Sequence, residues 1–199
     1  MKRILLVVVT ALLWYMVSAQ EYPYPQSQNH PYGYMSSNIT TAQATDEYQD
    51  WITAYYVECS DTEARIDYDG NTVSEGIGYG LVITAYAGDK IKFDKLLNYY
   101  NNRKNGNGVM NWEYPGCSTS ASGNGAATDG DMDAAMGMLV GVHQWPGEGY
   151  EQDFEALADA MKGSEFVDCN GMIVQKPGDA WGGCDCTNPS YYAPGYYRA

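Results

Sequence analysis

Apolar and aromatic positions recur along this chain at helical spacing. Tyr48, Trp51, Ile52, Tyr55 and Tyr56 lie three to four residues apart and predict a helix over Thr45–Cys59. The same reading gives helices over Thr72–Ala87, Lys90–Arg103, Asp129–Trp145 and Tyr150–Lys162. Strand-type alternation is almost absent, apart from a short pair expected around Phe166–Asp168 and Gly171–Val174. The loops Asn105–Gly125 and Pro177–Pro194 are glycine-rich and too long for simple connections, which marks them as functional segments. Consecutive helices joined by such loops suggest an all-α toroid.

The first residues follow a different pattern. Lys2 and Arg3 precede an apolar run, Ile4–Val17, that is too short for a comfortable membrane span. Val17-Ser18-Ala19 then has the small-residue form of a signal-peptidase site. A signal peptide over residues 1–19 and a secreted chain from Gln20 are expected, with the membrane met only in transit. The remaining length suffices for one domain with a real core. A formal charge of −14, from 25 acids against 11 bases, argues against nucleic acid, whose phosphates need clustered Lys and Arg.

The chemistry-bearing residues cluster at helix starts. Glu75, in Thr72-Val73-Ser74-Glu75, fits a capping box with Thr72 as the N-cap, and equally fits a carboxyl kept protonated beside Ile77 and the Tyr79 ring. Pattern alone leaves both readings open. In Ala127-Thr128-Asp129-Gly130-Asp131-Met132-Asp133, helical spacing puts Asp129 and Asp133 on one face and turns Asp131 away. A calcium loop fails there, because Ala134 and Val140 stand where glycine and glutamate are needed. Asp129 is then either a helix cap or an active-site carboxylate. Nineteen Tyr and five Trp supply flat rings of the kind that stack on sugars.

Five cysteines leave one thiol over, with Cys169 able to pair with Cys184 or Cys186. They contain no C-x-x-C spacing for zinc. No metal or cofactor is expected.

The segments Ser74-Glu75-Gly76-Ile77-Gly78-Tyr79-Gly80 and Ala127–Trp145 resemble glycoside hydrolase family 8. The resemblance extends over most of the mature chain, including the opening Tyr22–Tyr34 segment. It implies an (α/α)6 barrel of six helical hairpins, of which residues 20–199 would supply roughly the first half. It implies that Glu75 is the general acid and that Asp129 binds the sugar ring beside the scissile bond. Trp112, Trp181 and Tyr191 match positions that hold the polysaccharide. Ala134, Gly137 and Gly141 depart from the family pattern and put the rigidity of that helix in doubt.

Family 8 enzymes mostly invert, which requires a base about 6.5–9.5 Å from the acid. In the resemblance that base lies beyond Ala199, so the isolated chain is expected to be inactive and poorly stable. Asp179 and Asp185 read as loop hydrogen-bonders. The expected activity is endo-cleavage of β-1,4-glucan, as cellulose or mixed-linkage glucan, by a monomer. Chitosan and xylan are alternative substrates of the same family. A non-catalytic glycan-binding protein and a tyrosine-rich structural protein are the alternatives of other classes.

Overall fold

A computed structural model describes residues 37–199. The expected signal peptide and the Tyr22–Tyr34 segment lie outside the described residues. Among the described residues five helices dominate: α1 (Thr41–Tyr55), α2 (Ser74–Ala87), α3 (Lys90–Asn101), α4 (Thr128–Gln144) and α5 (Tyr150–Ser164). The fold is mostly helical, as expected, and corresponds to about half of an (α/α)6 barrel.

Three antiparallel two-stranded ribbons supplement the helices: β1 (Tyr56–Glu58) with β2 (Ala64–Ile66), β3 (Asn71–Val73) with β4 (Glu113–Pro115), and β5 (Phe166–Asp168) with β6 (Ile173–Gln175). Periodicity anticipated only the last. The first helix begins earlier than its apolar stripe, because Thr40 caps it with a reciprocal Thr40–Gln43 box. It stops at Tyr55, where Tyr56-Val57-Glu58 leaves the helix to pair with β2. Spacing alone could not show that Tyr56 faces a strand partner.

A second boundary moves for the same kind of reason. Thr72 is not a helix cap: it lies buried in β3 opposite Tyr114, and its hydroxyl donates to the Gly116 carbonyl at 3.0 Å. Val73 occupies the N-cap of α2 and makes no side-chain cap bond. The capping-box reading of Glu75 therefore fails, and its carboxylate is left for other work.

The core lies between α2, α3, α4 and α5, built on Ile77, Leu81, Phe93, Leu96, Met138 and Leu157. Phe93, Trp145 and Tyr150 form an aromatic cluster with ring centroids 5.0–5.8 Å apart. The tightest contact is between α2 and α4, where glycine replaces side chains. A Cβ on Gly137 would stand 2.6 Å from Leu81 Cβ, and one on Gly78 would stand 2.6 Å from Asp133 Cβ. Gly141 likewise faces the Phe93 ring, where a Cβ would come within 2.9 Å. The concern over rigidity at Gly137 and Gly141 is thus answered: both sit at close approaches that a larger side chain would force apart.

Two disulfides join Cys59 to Cys117 and Cys169 to Cys184, leaving Cys186 free and exposed. Of the two partners open to Cys169, the structure selects Cys184.

Candidate active site

The glycine contact between α2 and α4 brings their N-termini side by side. A Cβ on Gly130 would come within 2.8 Å of the Glu75 amide nitrogen, so the first turns of the two helices touch through backbone. Glu75 is the second residue of α2 and Asp129 the second of α4. Asp133, one turn further along α4, faces the same space.

Three carboxyls this close repel when ionised. Burial pushes Asp129 up to about 6, and the Glu75 charge adds to the effect. Burial also raises Asp133; a hydrogen bond from Tyr196 opposes the shift, and the charge of Glu75 reinforces it. Glu75 itself accepts from the Ser74 hydroxyl at 3.3 Å. Asp129 does not cap α4: the N-cap is Ala127, with no side-chain bond, and Asp129 Oδ1 accepts from the adjacent Gly130 amide at 3.0 Å.

Aromatic rings border the cluster. Tyr79, which is exposed, and Tyr191, which is half-buried, both have hydroxyls held protonated, first by burial and then by nearby carboxylates: Asp133, Asp129 and Glu75 for Tyr79, Asp129 and Glu75 for Tyr191. Trp112 immediately precedes β4, and its carbonyl accepts from the Ser74 amide at 3.0 Å, fixing it to the start of α2. Its ring lies over Gly123, where a Cβ would be 2.2 Å from Trp112 Cε2. The Trp181 ring similarly covers Gly125 and Gly178. Gly125 also has φ +86°, a conformation that suits a residue without Cβ. Although packed on glycines from one side, Trp112 and Trp181 remain 36% and 39% exposed. A core tryptophan such as Trp145, at 1%, shows the contrast.

The segments on which the two tryptophans pack are connected through backbone: the Trp112 amide donates to the Gly125 carbonyl at 2.8 Å. The structure thus gathers Glu75, Asp129, Trp112, Trp181 and Tyr191 around one end of the α2–α4 pair.

Asp179 serves the scaffold. Burial alone would raise it, but N–H donors from Ala126, Asn107 and Asn105 at 2.7–2.9 Å outweigh that and hold it below the ordinary carboxylate range. Sequence reasoning did not single out Tyr196 or the fully buried Glu165, and it placed Asp131 off the Asp129–Asp133 face without foreseeing that it is fully buried. The turn of Asp131 away from Asp129 was legible as spacing. Glu165 carries no sequence signal, because its burial depends on where α5 ends. Among the described residues, no three His, Cys, Asp or Glu side chains are placed to hold a metal ion.

A family model described as glycosyl hydrolases family 8 matches residues 23–199. Endoglucanase A of Acetivibrio thermocellus is 34% identical over 193 residues, covering 87% of this chain and 39% of that protein. Endoglucanase 2 of Ruminiclostridium josui is 32% identical over 203 residues, covering 91% and 42% respectively. Among solved structures, the apo β-1,3-1,4-glucanase from Paenibacillus sp. X4 superposes with a TM-score of 0.68 at 28% identity, over 81% of this chain and 47% of that one. The chain therefore spans about two-fifths of the length of these curated relatives.

Proposed function

This chain belongs to the glycosyl hydrolases of family 8, and we propose that it serves the internal cleavage of β-1,4-linked glucan with inversion, as a secreted monomer. Glu75 donates the proton to the glycosidic oxygen. Asp129 binds the sugar ring at the point of cleavage, while Trp112, Trp181 and Tyr191 hold the neighbouring units. The observation that carries this reading is the meeting of Glu75 and Asp129 at two abutting helix N-termini, flanked by exposed tryptophans on glycine-rich loops. The endoglucanase and β-glucanase names of the relatives support glucan over chitosan or xylan.

The roles of the two carboxyls are separable. Asp129 has its affinity for protons raised by burial and then by the Glu75 charge. The assignment of Glu75 follows from the family resemblance of Ser74-Glu75-Gly76. No general base is assigned, since Asp179 is fully occupied by N–H donors. That observation favours one second reading, in which the 199-residue chain holds glycan without cutting it.

Reducing-end release from a soluble cellulose derivative and from mixed-linkage glucan, together with binding by affinity electrophoresis, tests both readings. Glu75→Gln should lower turnover about a hundred- to ten-thousand-fold while binding persists. Unchanged turnover in Glu75→Gln would remove Glu75 from the acid's role. Binding by the unaltered chain with no release would select the glycan-holding reading. Loss of binding on replacing both Trp112 and Trp181 by alanine is expected under either.

A further inference from the structure

Beneath the carboxylate cluster lies a second pair of acids that the proposed reaction does not use. Asp131, in the first turn of α4, and Glu165, which ends α5, are both fully buried. Asp131 Oδ1 is well supplied, accepting the Tyr100 hydroxyl and, at 3.2 Å, the Met110 amide. Asp131 Oδ2 and both carboxyl oxygens of Glu165 meet no N–H or O–H donor. The two carboxyls lie instead in hydrogen-bonding contact with each other.

Two carboxylates cannot bond without a hydrogen between them, and two adjacent buried negative charges would be strongly unfavourable. The other groups facing the pair cannot replace that hydrogen. From α3, the Tyr100 hydroxyl already donates its hydrogen to Asp131 Oδ1. Lys104 lies over the Tyr100 ring and feels the charges of Asp153 on α5 and, more weakly, of Asp131, with no hydrogen bond to either acid of the pair. The Thr128 hydroxyl lies within hydrogen-bonding reach of Glu165, but its one hydrogen goes to the Lys176 carbonyl at 2.9 Å. The Lys176 ammonium is engaged by the Ser164 and Asp179 carbonyls, each at 2.7 Å. Asp179 adds a further negative charge.

The pair sits where three segments are stitched together. The Thr128 amide donates to the Pro177 carbonyl at 3.2 Å, the Ala126 amide to Asp179 at 2.7 Å, and the Lys176 amide to the Glu165 carbonyl at 2.8 Å. These bonds join the first turn of α4, which carries Asp129, to the loop that carries Trp181.

We propose that Asp131 and Glu165 share one proton and act as a proton-dependent clasp, positioning Asp129 and the Trp181 loop relative to each other. Both acids are held protonated to higher pH than usual, primarily by burial; the Asp131 charge adds to the effect at Glu165, whereas hydrogen bonds with Tyr100, the Met110 amide and Glu165 oppose it at Asp131. Removing the shared proton leaves two negative charges in contact, and the α4 turn and the Trp181 loop separate. The consequence for sugar binding rests on the function proposed above; the shared proton itself does not.

The test uses the full chain with Glu165→Gln, whose amide supplies a permanent N–H to Asp131, and with Asp131→Asn as a second variant. At about pH 8, where Asp129 is ionised, the infrared spectrum of the unaltered chain should retain the C=O stretch of one protonated carboxyl; Glu165→Gln should lack it, and Asp131→Asn should shift its frequency by replacing the carboxyl partner with an amide. A folded state that binds one more proton than the unfolded state loses stability as pH rises. Relative to Glu165→Gln, the folding constant of the unaltered chain should fall close to tenfold per unit between about pH 5 and pH 9.

At about pH 9, the Ala126, Thr128 and Lys176 amides should exchange faster in the unaltered chain than in Glu165→Gln at that pH, and equally at about pH 5. Absence of the carboxyl band from the unaltered chain would overturn the proposal, as would parallel pH profiles in the unaltered chain and Glu165→Gln. None of these readouts involves glycan. A clasp that behaves as expected in a chain that binds no sugar would therefore leave the inference standing and sink the function.

Discussion

The α2–α4 contact and the flank beside α1 are built on opposite principles. Between α2 and α4, glycines at positions 78, 130 and 137 allow the helices to meet through backbone, so their separation is set by atoms that cannot repack. Beside α1, only Ile52 is buried on the helix, and a groove of about 1290 Å³ opens between α1 and α2, lined by Trp51, Tyr48, Tyr55, Tyr86 and Ile91. Within it, α1 is held by individual polar links such as Tyr48 to Asp89 at 2.8 Å. The segment that follows α1 is tied down differently again. The Cys59–Cys117 bridge, the buried Arg103–Glu63 ion pair at 3.0 Å and Lys95 on Glu58 at 2.7 Å fasten the β1–β2 ribbon to the rest. Carboxyl geometry is placed where the backbone fixes it, and the loosely packed side relies on a covalent tether.

The tether should give the largest effect. Replacing Cys59 and Cys117 by serine opens a loop of 58 residues and is expected to lower stability by about 4 kcal/mol, read by urea unfolding. A loss below about 1 kcal/mol would mean that packing already holds the ribbon.

Next comes the glycine contact itself. Gly78→Ala puts a methyl against Asp133 Cβ and the Gly130 carbonyl, at 2.6 and 2.7 Å, and should destabilise by about 1–3 kcal/mol. Ala54→Leu, facing the groove beside α1, should stay within about 0.5 kcal/mol. Equal losses at the two positions would erase the distinction between the regions.

The smallest expected effect is electrostatic, and its sign depends on pH. Asp129 has its proton affinity raised to about 6 by burial and then by Glu75, so the stability this confers is present below the unfolded value near 3.8 and is lost as pH rises through 6. Asp129→Asn should therefore stabilise the fold by about 1 kcal/mol above pH 7, after allowance for solvent screening, and by little below pH 4. Thermal unfolding at both pH values measures it. A gain that does not depend on pH would assign the effect to packing.

How far the site could be read in advance differs from residue to residue. Trp112 and Trp181 were legible because aromatics in glycine-rich loops have few ways to be buried, and the structure leaves both partly exposed. The Asp129–Asp133 face followed from helical spacing. Thr72 was misread because Thr-x-x-Glu satisfies a local capping rule as well as a strand-to-helix junction. The pairing with Tyr114, more than forty residues away, decided between them. Gly137 and Gly141 looked like weaknesses in a helix considered alone, and they are contact points once Leu81 and Phe93 are seen opposite.

The sequence by itself determined the helical class, four of the five helix positions to within two or three residues, and the presence of carboxyls at two helix starts. Those properties depend on neighbours three or four residues apart. Only the tertiary structure decided that the two starts adjoin, that Cys169 pairs with Cys184, and that Asp131 finds Glu165. Each of those is a meeting of segments far apart in the chain, fixed by backbone approach and burial, which no local pattern encodes.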